Sequence, residues 1–362
     1  MTAADSADGW GGWRSARCVG SGRQALALVA RWCRAHAMTT ALLPAYHCET
    51  MALPFWLEAM AVRAVPVDHQ LRTDPRALAR ALAQEPSPVV ILICRTGAID
   101  VAPGLVEVLR RARAAGHLVV EDATHCLLDE LVNPAPALPA DIRMASLRKL
   151  LPVPEGAWIA TSPDAAAAAG ARHGAGIDLG PLPGRRTCHE QMTLGGARLL
   201  REQQLWAQRE QLPERGGKGA PGATHALRLA IAAADEAFDA ALAPAAPAPG
   251  TLAALASLDL LHWARRWRDA NAQFCALLGP QLGALNPGRA CFPLLRHQLA
   301  SQIDEELGRR GAFAPQYWPR PSWFRADAGW PEDVLSIDIR PDQSCHRAAA
   351  LADIVHAAVR GG

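Results

Sequence analysis

The chain has 362 residues with 37 basic and 35 acidic side chains, a formal net charge of +2, and 50% apolar content. That length exceeds a single core and predicts two domains. The near balance of charge, with no long single-sign run, excludes the electrostatic footprint of a nucleic-acid binder. MTAADSADGWGGW at the N-terminus has neither the basic start nor the apolar core of a signal peptide, and no later segment reads as a spanning helix. A soluble, cytoplasmic protein without a membrane partner is expected. Nine cysteines without a CxxC pair argue against a zinc site or a disulfide framework. Four adjacent pairs, His47-Cys48, His125-Cys126, Cys188-His189 and Cys345-His346, would point to opposite faces of a strand, so no metal site is expected.

In chain order, GRQALALVARWCRAHA (22–37) has helical apolar spacing, TTALLPAY (39–46) is a short strand, and ETMALPFWLEAM (49–60) is a helix. VRAVPVD (62–68) follows as a strand, DPRALARALAQ (74–84) as a helix, and PVVILIC (88–94) as a fully buried strand. APGLVEVLRRARAAG (102–116) is a helix, HLVVED (117–122) a strand, and GAWIATS (156–162) another. Strands separated by helices predict a mostly parallel sheet, with ligands held at the carboxyl ends of its strands. Beyond residue 165 come an alanine run, the stretch PLPGRRTCHE, and polar helices around 190–213 and 224–241. ALAPAAPAPGT (241–251) has the composition of a linker. A long helix at 252–278, strands CFPLLR (291–296) and VLSIDIR (334–340), and a helix at 346–359 suggest a smaller α+β unit. The expected division is 1–245 and 246–362.

Four stretches at strand ends or a helix start carry chemistry. GSGRQAL (20–26) opens a helix, where backbone N–H groups of Gly22 and Arg23 favour a phosphate beside Ser21; a plain glycine turn capped by Ser21 reads equally from these residues. VVEDATH (119–125) sets Asp122 at a strand end with His125 close behind, readable also as a cap and a packing histidine. LLPAYHCET (42–50) offers Tyr46, with His47 and Cys48 adjoining; an aromatic there is usually core. ASLRKLLPVPEGAW carries Ser146 and Lys149. Lysine is used only at 149 and 218 in this arginine-rich chain, and Lys218 lies in a glycine-rich stretch that reads as a solvated loop. Arginine cannot lose its proton near neutrality, whereas a shielded lysine amine can and then condenses with an aldehyde. An amine, an acid and a phosphate cradle are what pyridoxal phosphate requires.

Taken in this order, these stretches resemble the DegT/DnrJ/StrS family of pyridoxal-phosphate sugar aminotransferases. SGRQAL (21–26) is similar to the family's SGTAAL, PAYHCETM (44–51) to PSYTFVAT, and AVPVDHQ (64–70) to IPVDVD. DPRAL (74–78) matches D-P-x-x-L, Gly97 in CRTG the glycine of H-x-Y-G, VVEDATH the family's VIEDAAQ, and ADIRMASLRK (140–149) its GDIGxxSF segment leading to the lysine. Glu155-Gly156 sits where the family has its G-E-G-G turn. The resemblance covers about 18–165 well and 251–362 more loosely.

The resemblance implies an α/β protein with the pyridoxal-phosphate-dependent transferase fold of the aspartate aminotransferase type, its large domain built on a mostly parallel sheet. It implies that Lys149 forms the Schiff base with pyridoxal 5'-phosphate and shuttles the proton, and that Asp122 pairs with the pyridine nitrogen. Ser21, Gly22, Arg23 and Ser146 would hold the phosphate, His125 would stand near the ring hydroxyl where the family has glutamine, and Tyr46 or Cys48 would occupy the stacking strip. The implied activity transfers an amino group from an amino acid donor such as glutamate to a keto sugar or similar polar acceptor, nucleotide sugars included. A homodimer is implied, with Arg185 and Arg186 as candidates for an anionic substrate. The departures at His125 and Cys48, and the lack of a GYNYRM-like motif between 165 and 250, keep two alternatives open. One is another pyridoxal-phosphate enzyme, such as a lyase, racemase or dehydratase; the other is a non-catalytic relative acting as a binding or regulatory module.

Overall fold

A computed structural model describes residues 14–153, 155–162, 177–180, 182, 244–310, 316–318, 320–321, 324, 329–339, 341 and 345–361. Its first unit is built on a seven-stranded sheet of β1 (Arg14–Val19), β2 (Thr40–Pro44), β3 (Ala61–Val65), β4 (Val90–Cys94), β5 (Leu118–Asp122), β6 (Ile142–Ser146) and β7 (Ala157–Thr161). The spatial order is β1-β7-β6-β5-β4-β2-β3. From β3 to β6 neighbouring strands run parallel, while β7 is antiparallel to β6 and β1 to β7. The expected mostly parallel sheet is therefore present, with an antiparallel edge.

Helices α1 (Gly22–Ala35) and α2 (Glu49–Leu57) cover one face, and α3 (Pro75–Ala83) and α4 (Leu105–Ala114) the other. Strand alternation sets this division: Val90 and Leu92 pack with Leu26 and Val29 of α1, whereas Ile91 and Ile93 pack with Leu78, Leu105 and Leu109. A strand apolar on both faces has to be covered on both, which is why VILI reads as a continuous run. Asp74 caps α3 by accepting from Arg76 and Ala77 N–H, with Pro75 at the first helical position.

The second unit contains α5 (Pro249–Ser257), α6 (Leu260–Leu278), α7 (Ala300–Arg309), α8 (Cys345–Gly361) and an antiparallel sheet ordered β8-β10-β9, made of β8 (Leu294–Arg296), β9 (Gln316–Tyr317) and β10 (Val334–Ser336). The single helix expected at 252–278 is two. The Asp259 carboxylate accepts from His262 N–H at 2.9 Å and starts a new helix there. The end of the expected linker is helical as well, with Pro249 opening α5. Before it, the chain runs along the start of α1, where Gly20 N–H donates to Ala245 O at 2.8 Å. The helices expected around 190–213 and 224–241 lie outside the described residues, as do Arg185, Arg186 and Lys218. Among the described residues no helix is long and apolar enough to cross a membrane.

Candidate functional site

Strand β2 has β3 on one side and β4 on the other, so the chain reverses its direction of winding between β2 and β4. A crevice opens at the carboxyl ends beside such a reversal. Register places Cys94, the last residue of β4, opposite Asp122, the last of β5, and Asp122 opposite Met144. Strand β6 continues to Ser146, after which residues 147–156 turn the chain into β7, closed by Leu147 N–H donating to Gly156 O at 2.9 Å.

Lys149 sits on this turn, and the local sequence explains its presentation. Leu147, Leu150, Leu151 and Val153 are buried in the core shared with the second unit, and Trp267 Nε1–H donates to Leu150 O at 2.7 Å. The backbone is anchored on both sides while the Lys149 side chain is exposed. Its ammonium lies close enough to act on Asp122, Cys94, His125 and Cys291.

Asp122 is half-buried at the carboxyl end of β5. Burial lifts its pKa above the ordinary carboxylate value, and the Thr124 hydrogen bonds and the Lys149 charge pull against that rise. Thr124 N–H donates to Asp122 Oδ1 at 2.9 Å. The neighbouring Glu121 points to the other side of the sheet, as alternation requires, into a buried knot. There Arg95 Nη2 lies 2.7 Å from Glu121 Oε1 and Arg143 Nε 3.0 Å from Glu121 Oε2, and both arginines also pair with Glu130. Glu121, Cys126 and Glu130 offer ligand atoms within 4.8 Å of one another, but the two guanidinium groups already engage both carboxylates, so this cluster is an ion-pair knot.

His125 is fixed by groups from both units. Gly97 N–H donates to His125 Nδ1 at 3.1 Å, and Phe292 presents an edge-on ring with centroids 4.6 Å apart. Because Nδ1 accepts, the ring proton resides on Nε2, which makes that nitrogen a donor. Burial and the nearby Lys149 charge push the His125 pKa down to about 3, so the ring is neutral at physiological pH. Gly97 is itself held by Asn286, whose Nδ2 donates to Gly97 O at 2.8 Å and whose Oδ1 accepts from Leu294 N–H at 2.8 Å.

At the start of α1, Ser21 accepts from Gln24 N–H at 3.3 Å, which leaves the Gly22 and Arg23 N–H groups outside the helix's own ladder. Gly22 meets β6 directly: a Cβ there would lie 3.2 Å from Ser146 Cβ and 3.7 Å from Ser146 Oγ. The helix N-terminus and the serine thus form one small-residue cradle, suited to an anion by dipole and donors. Glu155 completes the turn by accepting from Ala248 N–H at 2.6 Å.

The structure brings Ser21, Gly22, Arg23, Asp122, His125, Ser146 and Lys149 to the carboxyl end of one sheet. Tyr46 is placed differently. It is 3% exposed, with Trp318 and Trp330 ring centroids at 5.0 and 5.3 Å, so its faces are taken up by tryptophans of the second unit. Cys48 stands at the N-cap of α2, with Sγ 3.0 Å from Thr50 Oγ1. Sequence reasoning passed over Thr124, although a hydroxyl residue two positions after a strand-end acid is a common turn-forming signal.

Solved structures share this architecture. A DegT DnrJ EryC1 StrS aminotransferase from Brucella abortus superposes with a TM-score of 0.61 at 12% identity, covering 98% of this chain and 88% of that one. DesI, solved in the presence of its TDP-sugar product, gives 0.61 at 17%, covering 99% and 84%. 3-Amino-5-hydroxybenzoic acid synthase gives 0.60 at 15%, covering 97% and 88%. The chain has the aminotransferase fold. No family profile matches the sequence, and no curated protein does.

Proposed function

We propose that this chain is a pyridoxal-phosphate-dependent aminotransferase that moves an amino group from an amino acid donor such as glutamate to a keto sugar or similar polar acceptor. The observation that carries this reading is that Lys149, Asp122 and His125 lie near one another at the carboxyl end of the sheet that also carries the Gly22–Ser146 contact. When bound, pyridoxal phosphate supplies an aldehyde that an amine can capture and a ring that draws electrons from the carbon carrying the amino group.

The residues present fit that group. The Gly22 and Arg23 N–H groups with Ser146 Oγ would hold the phosphate, and the missing Cβ at Gly22 leaves room against Ser146. Asp122 would keep a proton on the pyridine nitrogen, and the charge attraction would hold the acid ionised against its burial. His125 Nε2–H would donate to the ring oxygen, in the tautomer enforced by Gly97 N–H. Lys149 Nζ would hold the aldehyde until the donor's amine displaces it there, and the released amine would then take a proton from the donor's α-carbon and return it at the aldehyde carbon. Were Cys48 to stand beside the ring, its thiol would offer no flat face for stacking.

The TDP-sugar product of DesI supports a nucleotide-linked sugar as the acceptor class. The same reading calls for a homodimer, for a division near residue 245 between a cofactor-binding and a smaller domain, and for a cytoplasmic enzyme. Mixing the purified chain with pyridoxal phosphate and then glutamate tests the reaction: the lysine-linked cofactor's absorption should give way to that of pyridoxamine phosphate as 2-oxoglutarate forms. An absorption band that persists with every amino donor would favour a lyase or racemase instead.

A further inference from the structure

Thr124 takes no part in the proposed reaction, yet it lies between Asp122 and Ser146, and the role inferred for it rests on the functions proposed for those two residues. It is 4% exposed. Its hydroxyl oxygen accepts from Ser146 N–H at 2.9 Å, while its own N–H donates to Asp122 Oδ1 at 2.9 Å. A hydroxyl offers one donor and two acceptor positions. The Thr124 side chain also acts on the Asp122 carboxylate, pulling its pKa down against burial. We infer that Thr124 is a positioning residue that ties the carboxylate of Asp122 to the strand end carrying Ser146, holding the ring-nitrogen and phosphate ends of a bound pyridoxal phosphate at a set separation.

Among the described residues, charged and titratable groups act on Asp122 from several elements. Burial raises its pKa most; Lys149 on the β6–β7 turn lowers it, Glu121 on β5 raises it, and Cys94 on β4 faces it as a neutral thiol whose own pKa is raised. The Thr124 hydrogen bonds act with Lys149. Removing the hydroxyl should therefore move the Asp122 titration upward.

The test compares Thr124→Val and Thr124→Ser in the full-length chain. Carboxyl carbon NMR, with Asp122 assigned from the Asp122→Asn spectrum, follows its titration without cofactor. The valine variant should titrate at higher pH than wild type and the serine variant with wild type. In parallel, quenching of tryptophan fluorescence by pyridoxal phosphate should show affinity weakened roughly tenfold in the valine variant, the size of one lost hydrogen bond to a charged group, and restored by serine. Should valine prove insoluble, Thr124→Ala carries the same comparison. An Asp122 midpoint unchanged by loss of the hydroxyl, or not restored by serine, overturns the inference. If no variant binds pyridoxal phosphate, the functional reading fails, while the Asp122 comparison still decides the role of Thr124.

Discussion

Substituting Gly97 by alanine perturbs the contact between the two units at a position where the cost can be separated into parts. Gly97 has φ +64°, and an added Cβ would fall well inside van der Waals contact with Leu294 Cδ1 and 2.9 Å from Asn286 Nδ2. The left-handed backbone costs an alanine about 1–2 kcal/mol, and forcing a methyl into this packed contact costs about 1–3 kcal/mol more. Gly97→Ala should thus destabilise by roughly 2–5 kcal/mol in urea unfolding followed by circular dichroism. Leu294→Ala, at a buried residue of β8, costs about 2–5 kcal/mol on its own. In the double variant the new methyl enters space vacated by the leucine, so the clash with Leu294 is relieved, while the contact with Asn286 Nδ2 and the backbone part remain. Its loss of stability should be smaller than the sum of the single losses by about 1–3 kcal/mol. Additivity within about 0.5 kcal/mol would refute the steric account of this contact.

Two histidines set an acid limit. Burial lowers His47 to about 4 and His125 to about 3, so below the ordinary value near 6.5 the unfolded chain binds protons that the folded chain does not. Stability from keeping them neutral is complete above about pH 6.5 and falls as the pH drops toward 4, by up to about 1.4 kcal/mol per pH unit for each ring. Urea unfolding at pH 7 and pH 5 should register the fall, and His47→Gln should flatten it; equal slopes would contradict the assignment. Arg95→Met leaves Glu121 with half its compensation and should cost about 3–5 kcal/mol, partly recovered by adding Glu121→Gln. Gly22→Ala should displace Ser146 and weaken pyridoxal phosphate binding about tenfold, or about 1.4 kcal/mol, with helix content unchanged by circular dichroism.

Much of the first unit is legible because its signals are local. The run VILI, the Asp74-Pro75 start of α3 and the spacing in α1 each depend on near neighbours in the chain. Strands β1 (RSARCV) and β6 (IRMAS) lack such runs, since their pairing partners rather than their own residues make them strands. The break at Asp259 is hidden because apolar residues continue across it. Within the site, Lys149 and Asp122 stand out by residue type and position. The occupation of Tyr46 by Trp318 and Trp330, and of Glu121 by Arg95 and Arg143, is set by contacts distant in sequence that no spacing rule conveys.

The central claim is that the amine of Lys149 holds the aldehyde of pyridoxal phosphate above the carboxylate of Asp122. Borohydride reduction of the purified chain with pyridoxal phosphate, followed by peptide mapping, addresses it directly. The account predicts the reduced cofactor on the peptide containing Lys149, and its loss in Lys149→Arg. Label on Lys218, or on neither lysine, would contradict it.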